Sequence, residues 1–340
     1  MEKQPTPPAS DSQADVRLNQ LAAWLAEVLN APAPKLVPAS SDASFRRYFR
    51  IQHQGESLIV MDAPPDKEDS RPFVAVAELL QQAGLHGPKV LAHNLQAGFL
   101  LLTDLGKQLY IDALQSRDPG PLMHDAIQAL VTWQQASRPG VLPEYDAALL
   151  QRELDLFPDW YVTRHLGKPL GDAQQASWQS VCDRLVASAL QQPQVFVHRD
   201  YMPRNLMVCE PNPGIIDFQD AVYGPIAYDV LSLFKDAFLS WPQEQVDAWR
   251  AQYHAQATQA GLPVGSAADF KRAFDFIGVQ RHLKVLGIFA RINYRDGKAH
   301  YLGDTPRFIR YIREVLPLYP ELAALATLFD ELGLQSDTVV

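Results

Sequence analysis

Apolar residues recur at helical spacing over 16–29, at Leu18, Leu21, Leu25, Val28 and Leu29, and the run stops at the proline-rich APAP. From 36 to 63 the pattern changes to that of strands. FRRYFRI and SLIVMDA are two β-rich runs separated by Gln54-Gly55-Glu56, which predicts a hairpin. Residues 73–83 return to helical spacing with Gly84 placed to close the helix, and two short strands follow near 89–93 and 98–103. Beyond Gly106 the spacing predicts helices over about 121–137, 147–163, 173–191, 230–239, 243–260, 267–292 and 305–316. A strand-rich island at 195–217 interrupts them. The pattern predicts an α+β chain in four parts: a disordered tail at 1–14, rich in Pro, Ser and Gln, a β-rich lobe at 15–102, a link at 103–106, and a larger, mostly helical lobe at 107–340.

Composition narrows the partners. With 340 residues, 47% of them hydrophobic, the chain is long enough for about two domains and a buried core. Thirty basic against 39 acidic residues give a net charge of −9, which argues against coating a nucleic acid. Two cysteines, Cys182 and Cys209, make neither a disulfide framework nor a four-cysteine zinc site and fit a reduced compartment. The first residues, MEKQPTPPASDSQAD, lack the apolar run of a signal peptide, and no stretch of about 18 uncharged apolar residues predicts a membrane partner. A cytoplasmic protein is expected.

The island reads VFVHRDYMPRNLMVCEPNPGIIDFQD. Residues 195–197 form a short apolar strand, 198–205 a loop, 206–208 a second strand, 210–214 a turn, and 215–216 a third strand ending on Asp217. Asp200, Asn205 and Asp217 then fall at strand ends, where a hairpin can gather them. An acid, an amide and a second acid suit phosphoryl transfer: Asn205 and Asp217 offer hard oxygen ligands to Mg2+, and Asp200 can accept a proton from an attacking hydroxyl. A lone H-x-D is weak, because His and Asp often stabilise turns. The ordered set H-x-D-x4-N, hairpin, I-I-D-F within twenty residues is far more specific. His198 alone, with no second His or Cys nearby, does not make a zinc site.

HRDYMPRN followed by IIDF, and then YGPIAYDV, resembles the catalytic loop and metal-binding acid of the aminoglycoside phosphotransferase family, within the protein-kinase-like fold. The resemblance covers about 36–315 and is strongest from 195 to 236. It implies a bilobal kinase using ATP and Mg2+, with Asp200 as catalytic base, His198 propping the loop, Asn205 and Asp217 on the metal, and Asp229 as a structural brace. An acid in the first turn of a helix is also favoured by the helix dipole, so Asp229 has an ordinary reading beside that one.

On the nucleotide side, the segment SSDAS at 40–44 lies where such kinases carry a loop over the phosphates, and Ser41 and Ser44 are the candidate contacts. The segment has no glycine and reads equally as a polar hairpin. The lysine that the fold places on its third strand is missing: Met61 or Asp62 stands there. Arg46, Arg47 and Arg50 are the nearest cations. Strand alternation puts Arg46 and Arg50 on one face and Arg47 on the other, among Phe45, Phe49 and Ile51. Arg47 therefore needs a partner, either the phosphates or Glu78, unless all three are solvated edge charges. GFLLLTDLG resembles the strand and linker against which adenine binds, with backbone groups of Thr103 and Leu105 facing the base; a buried strand ending in a turn describes the same residues.

The family phosphorylates aminoglycosides, choline, homoserine and amino sugars. Residues 271–313 hold ten Lys or Arg against three acids, which disfavours a polycationic acceptor. SSDASFRRYFRI, VMDAPP and RHLKVLGIFARINYRDGKAHYL resemble the bacterial anomeric amino-sugar kinases of peptidoglycan recycling, which act on C1 of N-acetylmuramate and N-acetylglucosamine. At about 100° per residue, Arg281, Lys284, Arg291 and Arg295 share an arc of about 80°. They read either as a solvated or interface stripe or, with Asn293, as contacts for a sugar carboxylate. Tyr201, Tyr223, Tyr228 and Trp160 offer aromatic faces. A small-molecule sugar is the expected partner; nothing in the sequence sets an oligomeric state, and a monomer is the default. The missing lysine leaves room for an inactive nucleotide-binding module. A protein kinase is disfavoured, since the chain runs D-F-Q-D with no D-F-G or A-P-E.

Overall fold

The computed structural model describes residues 10–39 and 45–335, with 10–15 as backbone only. The chain divides into two compact units: one runs up to Lys107 and includes Gly214–Gln219, and the other comprises Gln108–Pro213 and the chain from Asp220 onward. The short return segment thus belongs with the β-rich unit, although the spacing of elements placed it in the helical one.

The first unit is built on an antiparallel sheet of β1 (Val37–Pro38), β2 (Arg47–His53), β3 (Glu56–Asp62), β4 (Val90–Asn94) and β5 (Phe99–Thr103), in the order β1-β2-β3-β5-β4. The β2–β3 hairpin turns through Gln54 and Gly55 at φ of 52° and 87°, a left-handed turn whose twist matches the strands and which glycine adopts without strain. That turn fixes the register from Arg47 opposite Asp62 to His53 opposite Glu56. Alternation then sends Phe49, Ile51, Leu58, Val60, Phe99 and Leu101 to one face, where Leu21 and Leu25 of α1 (Ser10–Val28) cover them. Each such side chain contributes roughly 1.5–3 kcal/mol on burial. The helix begins at Ser10, inside the stretch expected as tail. α2 (Arg71–Gln82) buries Phe73, Val76, Ala77 and Leu80. The return segment is tied in by Ile215 N–H donating to the carbonyl of His86 at 2.8 Å and by Phe218 packing on Phe73, ring centroids 4.8 Å apart.

The second unit holds α3 (Tyr110–Ala113), α4 (Pro119–Gln135), α5 (Ala147–Leu154), α6 (Asp172–Gln191), α7 (Tyr228–Phe234), α8 (Gln243–Gln259), α9 (Ala267–Asp296), α10 (Thr305–Val315) and α11 (Ala323–Leu332). The helix expected over 147–163 is two pieces. α5 stops at Leu154, and a wider π-helical stretch, Phe157–His165, follows with Pro158 at its start. That stretch packs on α9, and at Gly287 the approach is so close that any Cβ would strike the backbone of Leu156. Phe157, Trp178, Phe289, Phe308 and Phe329 fill the core around them. The two-stranded ladder of β6 (Gln194–Val197) and β7 (Val222–Pro225) carries the chain into and away from the chemical loop.

Candidate active site

β6 ends at Val197 and hands the chain to the loop at 198–205, while α7 carries Asp229 in its first turn. Asp229 is fully buried and accepts the backbone N–H groups of His198 at 2.6 Å and Arg199 at 3.0 Å. Burial pushes its carboxyl up to about 7, against the two donors, which favour the charged form. His198 is also buried; its Nδ1 accepts from Asp200 N–H at 3.3 Å, and its ring meets Tyr201 edge-on at 5.7 Å. Tyr201 in turn donates its hydroxyl to the carbonyl of Ala126 at 2.8 Å. Asn205 donates Nδ2 to the carbonyl of Asp200 at 2.9 Å, so a cation held by this amide would meet Oδ1. His198, Asp200, Asn205 and Asp229 therefore form one hydrogen-bonded assembly in the second unit, with Asp200 half-buried at its surface. Asp217 belongs to the first unit, where it is exposed at a left-handed φ of 62° and accepts from Gln219 Nε2 at 2.8 Å.

The side chain of Arg199 leads to a buried acid that the sequence reading missed. Glu153 of α5 accepts from Arg199 Nη2 at 2.6 Å, from Gln280 Nε2 at 3.1 Å and from the Tyr145 hydroxyl, and it pairs with Lys284 Nζ at 2.8 Å. Burial alone would raise its carboxyl, but Lys284 and Arg199 outweigh it and hold it at about 2. A signal was present: in ALLQREL, Glu153 falls within about 60° of Leu150 on the apolar side of a helix, where an acid requires cationic partners.

Arg46, Arg47 and Arg50 of the first unit are committed to acids. Arg47 pairs with Asp62, directly across the hairpin, and Arg17 of α1 pairs with the same fully buried carboxylate and donates to the carbonyl of Ala97 at 2.9 Å. Phosphates or Glu78 were the expected partners of Arg47; instead alternation turns it toward α1, and Glu78 is exposed. Arg46, the other expected phosphate contact, pairs with Glu68 at 2.9 Å. Arg50 grips Asp104 at 2.5 and 2.9 Å and the carbonyl of Gly106 at 2.7 Å, which fixes the linker after β5. Met61 is fully buried where the lysine would stand. Thr103 N–H donates to the carbonyl of Lys89 at 3.0 Å, which removes that donor from any contact with a base; Leu105 is buried. Ser41 and Ser44 lie outside the described residues.

The basic stretch on α9 and beyond is largely paired, by Asp275 and Asp296 within it and by Glu321 and Asp330 from further along the chain. Lys271 meets Asp275 at 2.5 Å, Arg272 meets Glu321 at 3.0 Å, Arg295 meets Asp296 at 2.7 Å, and Arg313 meets Asp330 at 2.8 Å. The local surplus is therefore not a free basic surface, and it no longer weighs against a polycationic acceptor. Lys284, expected at the sugar, is buried against Glu153 and donates to the hydroxyl of Tyr228 at 3.0 Å. Arg281 is buried beside Tyr228, 5.9 Å from its ring. Arg281 and Arg291 keep guanidinium nitrogens without a hydrogen-bond partner among the described residues, and Asn293, two residues after Arg291 on α9, is half-buried.

The model of the phosphotransferase enzyme family matches residues 35–267. The chain belongs to that family. This phosphotransferase is 55% identical over 329 residues to the N-acetylmuramate/N-acetylglucosamine kinase of Pseudomonas aeruginosa, covering 94% of this chain and 97% of that protein. It is 46% identical over 316 residues to the kinase of the same name from Neisseria meningitidis, covering 91% and 94%. Among solved structures it is similar to a choline kinase from Streptococcus pneumoniae, with a TM-score of 0.61 at 11% identity, covering 87% of this chain and 99% of that one. An ADP-bound aminoglycoside phosphotransferase gives 0.58 at 14%, covering 87% and 98%. The fold of the phosphotransferase is protein-kinase-like, a β-rich lobe and a helical lobe.

Among the described residues of the phosphotransferase, no group of three His, Cys, Asp or Glu side chains could cage a metal. Asn205 in the second unit and Asp217 in the first each carry a hard oxygen donor of the kind that magnesium takes, one or two from protein with phosphates and water completing the shell. No helix is long and apolar enough to cross a membrane among the described residues.

Proposed function

We propose that this phosphotransferase moves the γ-phosphoryl group of ATP to the anomeric C1 hydroxyl of N-acetylmuramate or N-acetylglucosamine, in the cytoplasm, as a step of peptidoglycan recycling. The observation that carries the reading is identity of 55% across 94% of the chain to a kinase named for these two sugars, with the whole HRDYMPRN loop present. Asp200 accepts the proton of the anomeric hydroxyl as its oxygen attacks the γ-phosphorus and ADP leaves. That hydroxyl is more acidic than other sugar hydroxyls, which suits a carboxylate base. Bound through Asn205 Oδ1 and Asp217, magnesium would supply positive charge to the phosphates. Of the four residues expected at the sugar, Lys284 is occupied by Glu153, so the carboxylate of N-acetylmuramate falls to Arg291 or Arg281, with Asn293 for the polar groups of the sugar.

The test is incubation with Mg·ATP and each amino sugar, read by 31P NMR. A product resonance split by the anomeric proton is expected. Phosphate on C6, or transfer only to a kanamycin-like polycation, would overturn the reading.

A further inference from the structure

We propose that Glu153 is a positioning residue for phosphoryl transfer: it anchors Arg199 and, through Arg199, the peptide that presents Asp200. The inference rests on the reading of Asp200 as the base. Arg199 has a φ of 75°, a conformation that residues with a Cβ rarely adopt and that persists only where the surroundings over-determine it. Asp229 supplies one fixing by accepting the N–H groups of His198 and Arg199. Both of those bonds act on the backbone N-terminal to the Arg199 Cα, and neither sets the direction of the Arg199 side chain.

Glu153 supplies the second fixing. Arg199 Nη2 reaches it at 2.6 Å, and the guanidinium lies 5.8 Å from the ring of Tyr145, whose hydroxyl donates to the same carboxylate. Glu153 is itself held by Gln280 and Lys284 of α9, so it acts as a rigid anchor rather than a mobile acid. Lys284 also donates to the hydroxyl of Tyr228, the residue before Asp229. One buried charge cluster therefore grips both fixings of the loop, Arg199 by its side chain and α7 at the start of Asp229's turn. A single negative charge sits between two cations, which is why the position needs a carboxylate and not an amide.

The experiment is a double-mutant cycle on Glu153→Gln and Arg199→Met, with kcat and KM for ATP measured on the folded variants. Each single change should lower kcat by about 10- to 100-fold, the scale of a misplaced catalytic group, with KM for ATP within about two-fold of wild type. The double variant should fall no further than the worse single one. Amide hydrogen exchange over residues 198–205 should quicken in both singles. Arg199→Met with kcat within about two-fold of wild type, or losses that multiply in the double variant, would overturn the proposal. Should Glu153→Gln not fold, Arg199→Met decides alone, because Lys284 still neutralises Glu153 there; Arg199→Lys, which keeps the charge, should restore part of the loss. A wild-type enzyme that phosphorylates neither amino sugar would sink the acceptor reading, while the exchange measurement would still test the anchor.

Discussion

Arg47 stands directly opposite Asp62 in the register of β2 and β3, and the two close into an ion pair on the side of the sheet that α1 covers. Arg17 of α1 binds the other oxygen of the same carboxylate. A fully buried acid at the end of the third strand thus carries the N-terminal helix rather than a nucleotide.

Removing Asp62 leaves two cations without their counter-charge, a change that costs about 3–5 kcal/mol when such a pair is buried, and toward the lower end here because Arg17 and Arg47 are partly solvated. Asp62→Ala should therefore unfold at markedly lower denaturant. Arg47→Ala should lose less, since Arg17 still neutralises the acid, and its KM for ATP should stay within about two-fold of wild type. A several-fold rise in that KM with unchanged unfolding would return Arg47 to the phosphates.

Asp200→Asn should abolish transfer while leaving ATP affinity and fold unchanged, because the side chain accepts a proton without being a main nucleotide contact. Loss of at least about 100-fold in kcat is expected of such a base. Asp217→Ala and Asn205→Ala should act differently, weakening the magnesium-dependent part of ATP binding in calorimetry. Wild-type Mg·ATP binding by Asp217→Ala would remove it from the metal assignment.

Much of this arrangement was readable from local patterns. The period-2 runs around Gln54-Gly55 specify a hairpin whose register follows from a two-residue turn, and the strand–loop spacing of 195–205 puts Asp200 and Asn205 within one hydrogen bond of each other. Charge pairs between distant segments were not readable. Arg17 and Asp62 are 45 residues apart, Arg199 and Glu153 are 46 apart, and no periodicity links them. The surplus of basic residues over 271–313 likewise hides its partners, because Glu153, Glu321 and Asp330 lie outside that segment. Proline placement explains the split of the helix expected over 147–163: Pro158 lacks the N–H that an α-helix would need there, and the chain continues as a π-helix.

The buried cluster at Glu153 also predicts a pH signature. Its carboxyl lies at about 2 in the folded chain against 4.5 when unperturbed, so between those values the unfolded chain binds a proton that the folded chain refuses. The stability it contributes is complete above about 4.5 and drains away as the pH falls toward 2. Asp229 runs the other way: its folded value of about 7 lies above the ordinary 3.8, so its contribution favours folding below about 4 and is lost as pH rises toward 7. Wild-type stability alone mixes the two slopes, whereas the difference between wild type and Glu153→Gln isolates one of them. Protonated Glu153 and glutamine are both neutral. The variant should therefore be most destabilised, relative to wild type, at every pH above about 4.5, and the gap should narrow steadily as the pH falls from there. Urea unfolding midpoints collected across pH 3 to 7 would show it. A gap that stays constant down to pH 3 would mean that Arg199 and Lys284 do not hold the carboxylate in its charged form.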